Sequence, residues 1–526
     1  MLASALQRTL LSLIAIAFAG TASAGTITTW SGTAANANWS TNGNWTTKPT
    51  TSGTFSLIYS GTPTQTSSYN NIGAVKVDSI QFLNDGSTGK TSRFTLSNPA
   101  NTLSLTAGGS VTSTAVSGTT LQDTISTNLS LLGTGTFNLG SNHNLLITGT
   151  LNTAGTLVKA GAGSLLLQGR TTLNSLQING GIVQSNTTSY TSFNGVDVAI
   201  ANSGTFQINA VTGTSSAVFK LRGNSTIALS GSSNITFSNS NFNTADPSIT
   251  SPATLTLTGG GNGSAGTNIV QGGIQDNSAS GKVGVTIGSA AATNVWVFQG
   301  NNTYTGDTTV ASGGKLLMNG VVSGSSTTTS SGYLGGSGTF GGAVSVLSGT
   351  LSPGGLSNDL VRGVISDSIG KLTVGSLSLS SPATTAMTIT GSTAGSYDQI
   401  AGSTSVNYGG TLALTLSGSY VDQTVFDLFS GFTTHTGSFS SITLSAAGTD
   451  YDGLTFSGAD ANGDWLSTWN GNNQALKFSQ STGQLTVVPE PSTIIFAGIG
   501  MAMFGWSTWT RRRAKARRQA IEAAIA

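Results

Sequence analysis

The feature that most constrains this chain is a small theme repeated over hundreds of residues. Gly is followed by Thr, Ser or Lys, then by Leu or Phe, at the start of a short alternating run. It occurs at Gly135-Thr136-Phe137, Gly149-Thr150-Leu151, Gly155-Thr156-Leu157 and Gly163-Ser164-Leu165. It returns at Gly204-Thr205-Phe206, Gly314-Lys315-Leu316, Gly338-Thr339-Phe340, Gly349-Thr350-Leu351, Gly370-Lys371-Leu372 and Gly410-Thr411-Leu412. The runs alternate, as in Thr411-Leu412-Ala413-Leu414-Thr415-Leu416, and period two means strands with one face buried. Gly, Asn and Ser between them supply turns.

Many short strands suit a sandwich, a barrel or a solenoid, and composition separates them. Only 7% of the 526 residues are charged, against about 25% in an ordinary soluble domain. Stacked coils would place like charges about 4.8 Å apart, whereas Ser, Thr and Asn stack as ladders. The expected fold is therefore all-β, a right-handed parallel β-helix of roughly 22 residues per coil. With no Cys, disulfides, thiolate metal sites and thiol nucleophiles are excluded. The two His, His143 and His435, cannot alone form a three-His metal site.

The ends differ from the body. The net charge of +2 hides a body near −3, with 13 basic residues against 16 Asp in 25–488, and a strongly basic tail. No broad basic surface exists for nucleic acid, so none is expected as a partner. Residues 1–24 read as a secretory signal peptide: Arg8, an apolar run from Leu10 to Phe18, and cleavage at Ala22-Ser23-Ala24, with signal-cleavage residues Ala22 and Ala24 and a mature start at Gly25. At the other end Val488-Pro489-Glu490-Pro491-Ser492-Thr493 precedes an uncharged apolar stretch to Thr510. Arg511-Arg512-Arg513, Lys515, Arg517 and Arg518 follow as a membrane stop with a cytoplasmic C-terminus. Trp506 and Trp509 stand where an interfacial belt belongs.

This ending resembles the PEP-CTERM sorting signal of bacterial surface proteins, with Pro489, Glu490 and Pro491 as the sorting motif. The resemblance implies an exosortase-type processing enzyme as a partner, with residues 492–510 in the membrane. A second resemblance lies in the body. Asn301-Asn302-Thr303-Tyr304-Thr305-Gly306-Asp307-Thr308-Thr309-Val310, leading to Gly313-Gly314-Lys315-Leu316, is similar to the autotransporter-associated β-strand repeat. Val158-Lys159-Ala160-Gly161-Ala162-Gly163-Ser164-Leu165-Leu166-Leu167-Gln168-Gly169 resembles the segment that precedes that core, and Gly395-Ser396-Tyr397-Asp398-Gln399-Ile400 a late passenger segment. No alternating, aromatic-girdled run precedes Pro489, so the self-export barrel of an autotransporter is not expected.

The expected organisation is a signal peptide (1–24), a Trp-containing N-terminal β region acting as a cap (25–99), a β-helical repeat region (100–390), a C-terminal β region (391–488), and the sorting signal with its transmembrane helix and basic tail (489–526). No catalytic, cofactor-binding or metal residues are expected. Asp460-Ala461-Asn462-Gly463-Asp464 begins like a calcium loop, but Trp465 stands where Gly is wanted, and an Asx turn fits better. Asp422 and Asp427 would lie on opposite faces of a strand. His143 sits in the polar turn Gly140–Asn144 and His435 in a Thr-rich one, neither beside an acid in sequence. Trp30, Trp39 and Trp45 could stack on sugars or cover the open end of the solenoid, and a solenoid's need for covered ends favours the second. The expected function is that of an exported, non-enzymatic surface or matrix protein, secreted across the inner membrane, membrane-anchored, then placed at the cell surface or in the extracellular matrix. Its role would be adhesion, with exopolysaccharide as a possible partner. A β-helical carbohydrate-active enzyme and a lectin-like module are the alternatives.

Overall fold

A computed structural model describes residues 25–489 and 509–521, apart from 62, 84–92, 115–119, 187–188, 191–192, 202, 210–211, 230–233, 239–241, 243–244, 260–265, 289–294, 325 and 357–366. Ala22, Ala24, Glu490, Pro491 and most of the expected membrane span lie outside the described residues. The chain divides into two compact units, 1–328 with 360–363, and 329–359 with 364–526.

The first unit is a stack of coils whose strands join three parallel ladders. One ladder begins with Thr26–Trp30, Thr54–Ser60, Val75–Leu83 and Thr102–Ser113, and runs on through Gly135–Leu139, Thr156–Ala160 and Ser175–Ile178 to Val218–Leu221. A second includes Leu121–Ile125, His143–Ile147, Ser164–Leu167, Ile182–Ser185, Gly204–Ile208, Ser225–Leu229, Ala253–Gly259, Val283–Ile287 and Thr308–Val310. A third carries Thr212–Ser215, Asn234–Phe237, Thr267–Val270, Val295–Phe298 and Lys315–Met318. Parallel pairing therefore begins at Thr26, well ahead of residue 100. Coil length varies: Ser164 faces Ile182, 18 residues on, while Asn234 accepts from the Thr267 N–H, 33 residues on.

Alternation explains the interior. Inward positions stack coil on coil, as in Leu145–Leu165–Val183–Phe206–Ile227–Leu257–Ile287–Val310, all buried. Each such side chain contributes about 1.5–3 kcal/mol of transfer free energy. The Gly of the theme has a steric cause at Gly149, and the same cause acts at Gly169, outside the theme. A Cβ on Gly149 would run into the Thr127 carbonyl of the adjacent coil, and one on Gly169 into the Gly149 carbonyl. These corners bring successive backbones too close for any side chain.

The repeat-like segment at 301–310 is a structural stitch. Asn302 is fully buried; its Oδ1 accepts the Ile274 N–H at 3.0 Å, and its Nδ2 donates to the Gly300 and Val321 carbonyls, each at 3.1 Å. One side chain thus links three successive segments of backbone. Tyr304 is buried with its hydroxyl 2.6 Å from Thr308 Oγ1, and burial pushes its pKa up. Asn302→Ala is expected to lower stability by about 2 kcal/mol, because the Ile274 N–H would be left buried and unpaired. Urea denaturation of the variant beside the parent checks this.

The N-terminal tryptophans are interior. Trp30, Trp39 and Trp45 are buried, with ring centroids 5.1 Å apart for Trp30–Trp45 and 5.2 Å for Trp39–Trp45. Trp39 Nε1 donates to Ser68 Oγ at 2.7 Å and Trp30 Nε1 to the Gln65 carbonyl at 2.8 Å. They fill the first coils beneath segment 31–47 and present no open face to a sugar.

In the second unit, Tyr333–Gly336, Gly349–Pro353, Ala383–Ile389, Thr411–Leu416 and Ser441–Ser445 form one parallel ladder. Thr339–Val346, Lys371–Leu379, Gln399–Gly402 and Ser405–Tyr408 belong to another, continued by Phe429–Ser430 and Thr434–Gly437. The pattern then changes to an antiparallel sheet of Val425–Asp427, Gln484–Pro489, Gln474–Ser479 and Asp464–Leu466. Phe478 of this sheet packs on Tyr408, Phe429 and Phe439, covering the last parallel coil of the unit.

Candidate functional site

Pro489 is the final residue of strand Gln484–Pro489, opposite Gln474. The expected sorting motif therefore starts at the end of the last sheet. Among the described residues no helix is long and apolar enough to cross a membrane. The described helix spans 509–521, and each of its residues is exposed. It holds Arg511, Arg512, Arg513, Lys515, Arg517 and Arg518, with the Arg513 guanidinium 3.9 Å above the Trp509 ring. Its Arg, Lys, Ala and Gln residues are strong helix formers, which accounts for helix in this basic segment.

Away from the termini, the outward faces include neutral hydroxyl and amide ladders. Thr226, Thr256, Thr286 and Thr309 occupy one register position on four coils. Gln184 and Gln207 are likewise stacked, and Asn209 Nδ2 donates to Asn186 Oδ1 at 2.7 Å one coil away. In the second unit, Thr411 and Ser441 hydroxyls meet at 2.9 Å. A groove of about 320 Å³ opens over the first of these faces, lined by Thr254, Thr286 and Thr309 with Lys282 and Asp307.

Charged groups are engaged one at a time. Asp197 pairs with Lys220 at 2.7 Å, Asp464 with Lys477 at 3.1 Å, and Asp422 accepts from Gln474 Nε2 at 2.7 Å. Asp460 is an Asx turn: its Oδ1 accepts the Asn462 N–H at 2.8 Å and the Asp464 N–H at 2.9 Å, which holds its pKa below the ordinary carboxylate range. Among the described residues no cluster of three or more His, Cys, Asp or Glu could hold a metal.

Two interior groups depart from the sequence reading. His143 is not part of a polar turn. It opens strand His143–Ile147, is fully buried, and its Nε2 lies 2.7 Å from Asp123 Oδ2. Asp123 is equally buried, and its Oδ1 accepts the Phe94 N–H at 2.7 Å. The acid is 20 residues away, one coil in space. Lys159 is also buried, donating to the Ala160, Gly161 and Gly180 carbonyls at 2.8, 2.9 and 3.2 Å. His435 contacts the Tyr408 hydroxyl through Nδ1 at 2.9 Å. The His–Asp pair and the lysine are the groups here best suited to proton transfer, and both are enclosed by the coils that hold them.

Comparison of the chain with family models, with curated proteins and with solved structures found no match.

Proposed function

We propose that this chain is an exported, non-enzymatic scaffold of the cell surface or extracellular matrix. The observation that carries this reading is the placement of reactive groups. The His143–Asp123 pair and Lys159 are consumed inside the coil stack, while the outer faces offer flat ladders of Thr, Asn and Gln. A polymer cannot reach the first set, and the second suits hydroxyl-rich exopolysaccharide. The groove beside Lys282 and Asp307 has room for a sugar unit and supplies both donors and acceptors. The rule that parallel crossovers are right-handed makes the coil a right-handed β-helix in this reading.

Export by the signal at 1–24 and sorting through Pro489, Glu490 and Pro491 complete the proposal. Two prolines resist helix and a carboxylate disfavours insertion, so that motif adds nothing to membrane affinity. In this reading an exosortase-type enzyme recognises the motif, whose Pro489 ends the final strand, with 492–510 in the membrane and Arg511–Arg513 on the cytoplasmic side. The protein recovered from the surface of a host with that machinery is the material for the test. It is expected to bind exopolysaccharide, to leave a broad polysaccharide panel uncut, and to lack peptides beyond Arg518. Turnover abolished by a single Asp→Asn change would replace this reading with a carbohydrate-active enzyme.

A further inference from the structure

Asp78 occupies an irregularity in strand Val75–Leu83. Toward one neighbour, Val77 faces Phe55 and Ser79 faces Ser56; toward the other, Val77 faces Leu105 and Ser79 faces Ser110. Asp78 is therefore skipped by both ladders, and a bulge of this kind re-aims the side chain it carries. Its Oδ1 accepts the Thr106 hydroxyl at 2.8 Å. Its Oδ2 accepts the Gly25 N–H at 2.6 Å, immediately before the terminal strand Thr26–Trp30. Gly25 is itself tightly enclosed. A Cβ there would lie 2.5 Å from Asp78 Oδ2 and 2.9 Å from the Thr54 carbonyl oxygen, so the position is built for a residue without a side chain.

We propose that Asp78 is the docking site for the α-ammonium of Gly25, created when the leader is removed after Ala24; the idea rests on the export reading. Hydrolysis of the Ala24–Gly25 amide consumes one water. Ala24 departs as a carboxylate, and the Gly25 nitrogen takes up protons to become an ammonium. A single neutral N–H facing Asp78 is thereby replaced by a cation with three donors. The existing amide–carboxylate hydrogen bond becomes an ion pair between two opposite charges, which adds Coulombic attraction to the hydrogen bond. Terminal strands fray unless tied down. Here the tie runs from Gly25 through Asp78 to Thr106, across the first four strands of the ladder. It also fixes Trp30, the last residue of the terminal strand and a member of the buried tryptophan cluster. Removal of the leader is thus the event that locks the N-terminal cap.

The test uses the exported full-length protein, with its N-terminus read by intact mass and amide exchange followed over 26–30. Three forms are compared with the parent: the chain acetylated at Gly25, Asp78→Asn, and Asp78→Asn acetylated. Either change alone is expected to lower protection of 26–30 roughly tenfold, and the two together no further than either alone. Unchanged protection on acetylation, or an equal Asp78→Asn effect with and without the acetyl group, would overturn the docking. A mature N-terminus other than Gly25 would remove the cleavage site itself. A Gly25 terminus with unchanged protection removes the docking and leaves export standing.

Discussion

Asp123→Ala is expected to destabilise the first unit by about 3–5 kcal/mol, the largest single effect foreseen for this chain. Asp123 stands in an inward column directly beside Leu145, whose continuation through Leu165 and Val183 is wholly apolar. It is tolerated there because Oδ2 meets His143 Nε2 at 2.7 Å and Oδ1 takes the Phe94 N–H. Truncation leaves the imidazole buried without its acid and the Phe94 amide without its acceptor. His143→Ala leaves the reverse, a buried carboxylate with one donor. The informative control is Asp123→Leu with His143→Leu. Replacing both partners by apolar side chains of fitting volume is expected to recover the part of the loss that comes from the unpaired imidazole, while the Phe94 N–H still lacks its acceptor. Urea denaturation of the three variants separates these outcomes. An Asp123→Ala variant within about 0.5 kcal/mol of the parent would mean that the pair is hydrated in solution.

This pair marks where the sequence stopped being readable. Alternation in Leu121-Gln122-Asp123-Thr124-Ile125 and in His143-Asn144-Leu145-Leu146-Ile147 puts Asp123 and His143 at inward phases. That phase was the available signal, but the polar composition of Gly140–Asn144 masked it. Which coil faces which is set by corner geometry and not by local pattern, so a partner 20 residues away is invisible to local reading. Parallel strands and ladder-forming faces were legible because both follow from period two and scarce charge. The onset of pairing at Thr26 was not. Of the early strands, Val75–Leu83 is long and lacks the Gly-led theme, and the single copy Gly53-Thr54-Phe55 at Thr54–Ser60 stands far from the run of later copies. The burial of the tryptophans followed from a general need, since an uncovered solenoid end exposes its core. The antiparallel sheet ending at Pro489 gave no such signal: its strands alternate just as the parallel ones do.

Lys159 leads to the second large effect, and its size depends on pH. It stands inward between Phe137 and Ile178 in register, with three carbonyls around its Nζ. Among the described residues no carboxylate forms an ion pair with it. Burial lowers its pKa from the ordinary 10.5 to about 8. The folded state therefore releases its proton more readily than the unfolded chain, which binds more protons between those two values. Stability from this group rises with pH across that window; the cost of burying the charge is full below pH 8 and relieved by pH 10.5. Lys159→Met keeps the length of the side chain and removes the charge. The carbonyls it leaves belong to Ala160, Gly161 and Gly180, none of which is buried, so water replaces the ammonium. The variant is expected to be about 2 kcal/mol more stable than the parent at pH 7, with the advantage fading as pH rises toward 10.5. Buried Tyr59, Tyr304 and Tyr408, whose pKa values burial raises, make the fold lose stability in strongly alkaline solution. That loss is common to both proteins and cancels in their difference. Urea denaturation of the pair at pH 7, 8, 9 and 10 reads that difference directly. A difference that stays flat over this range would show that the Lys159 amine remains hydrated, and that it joins the two turns at 160–161 and 180 as a solvated cation.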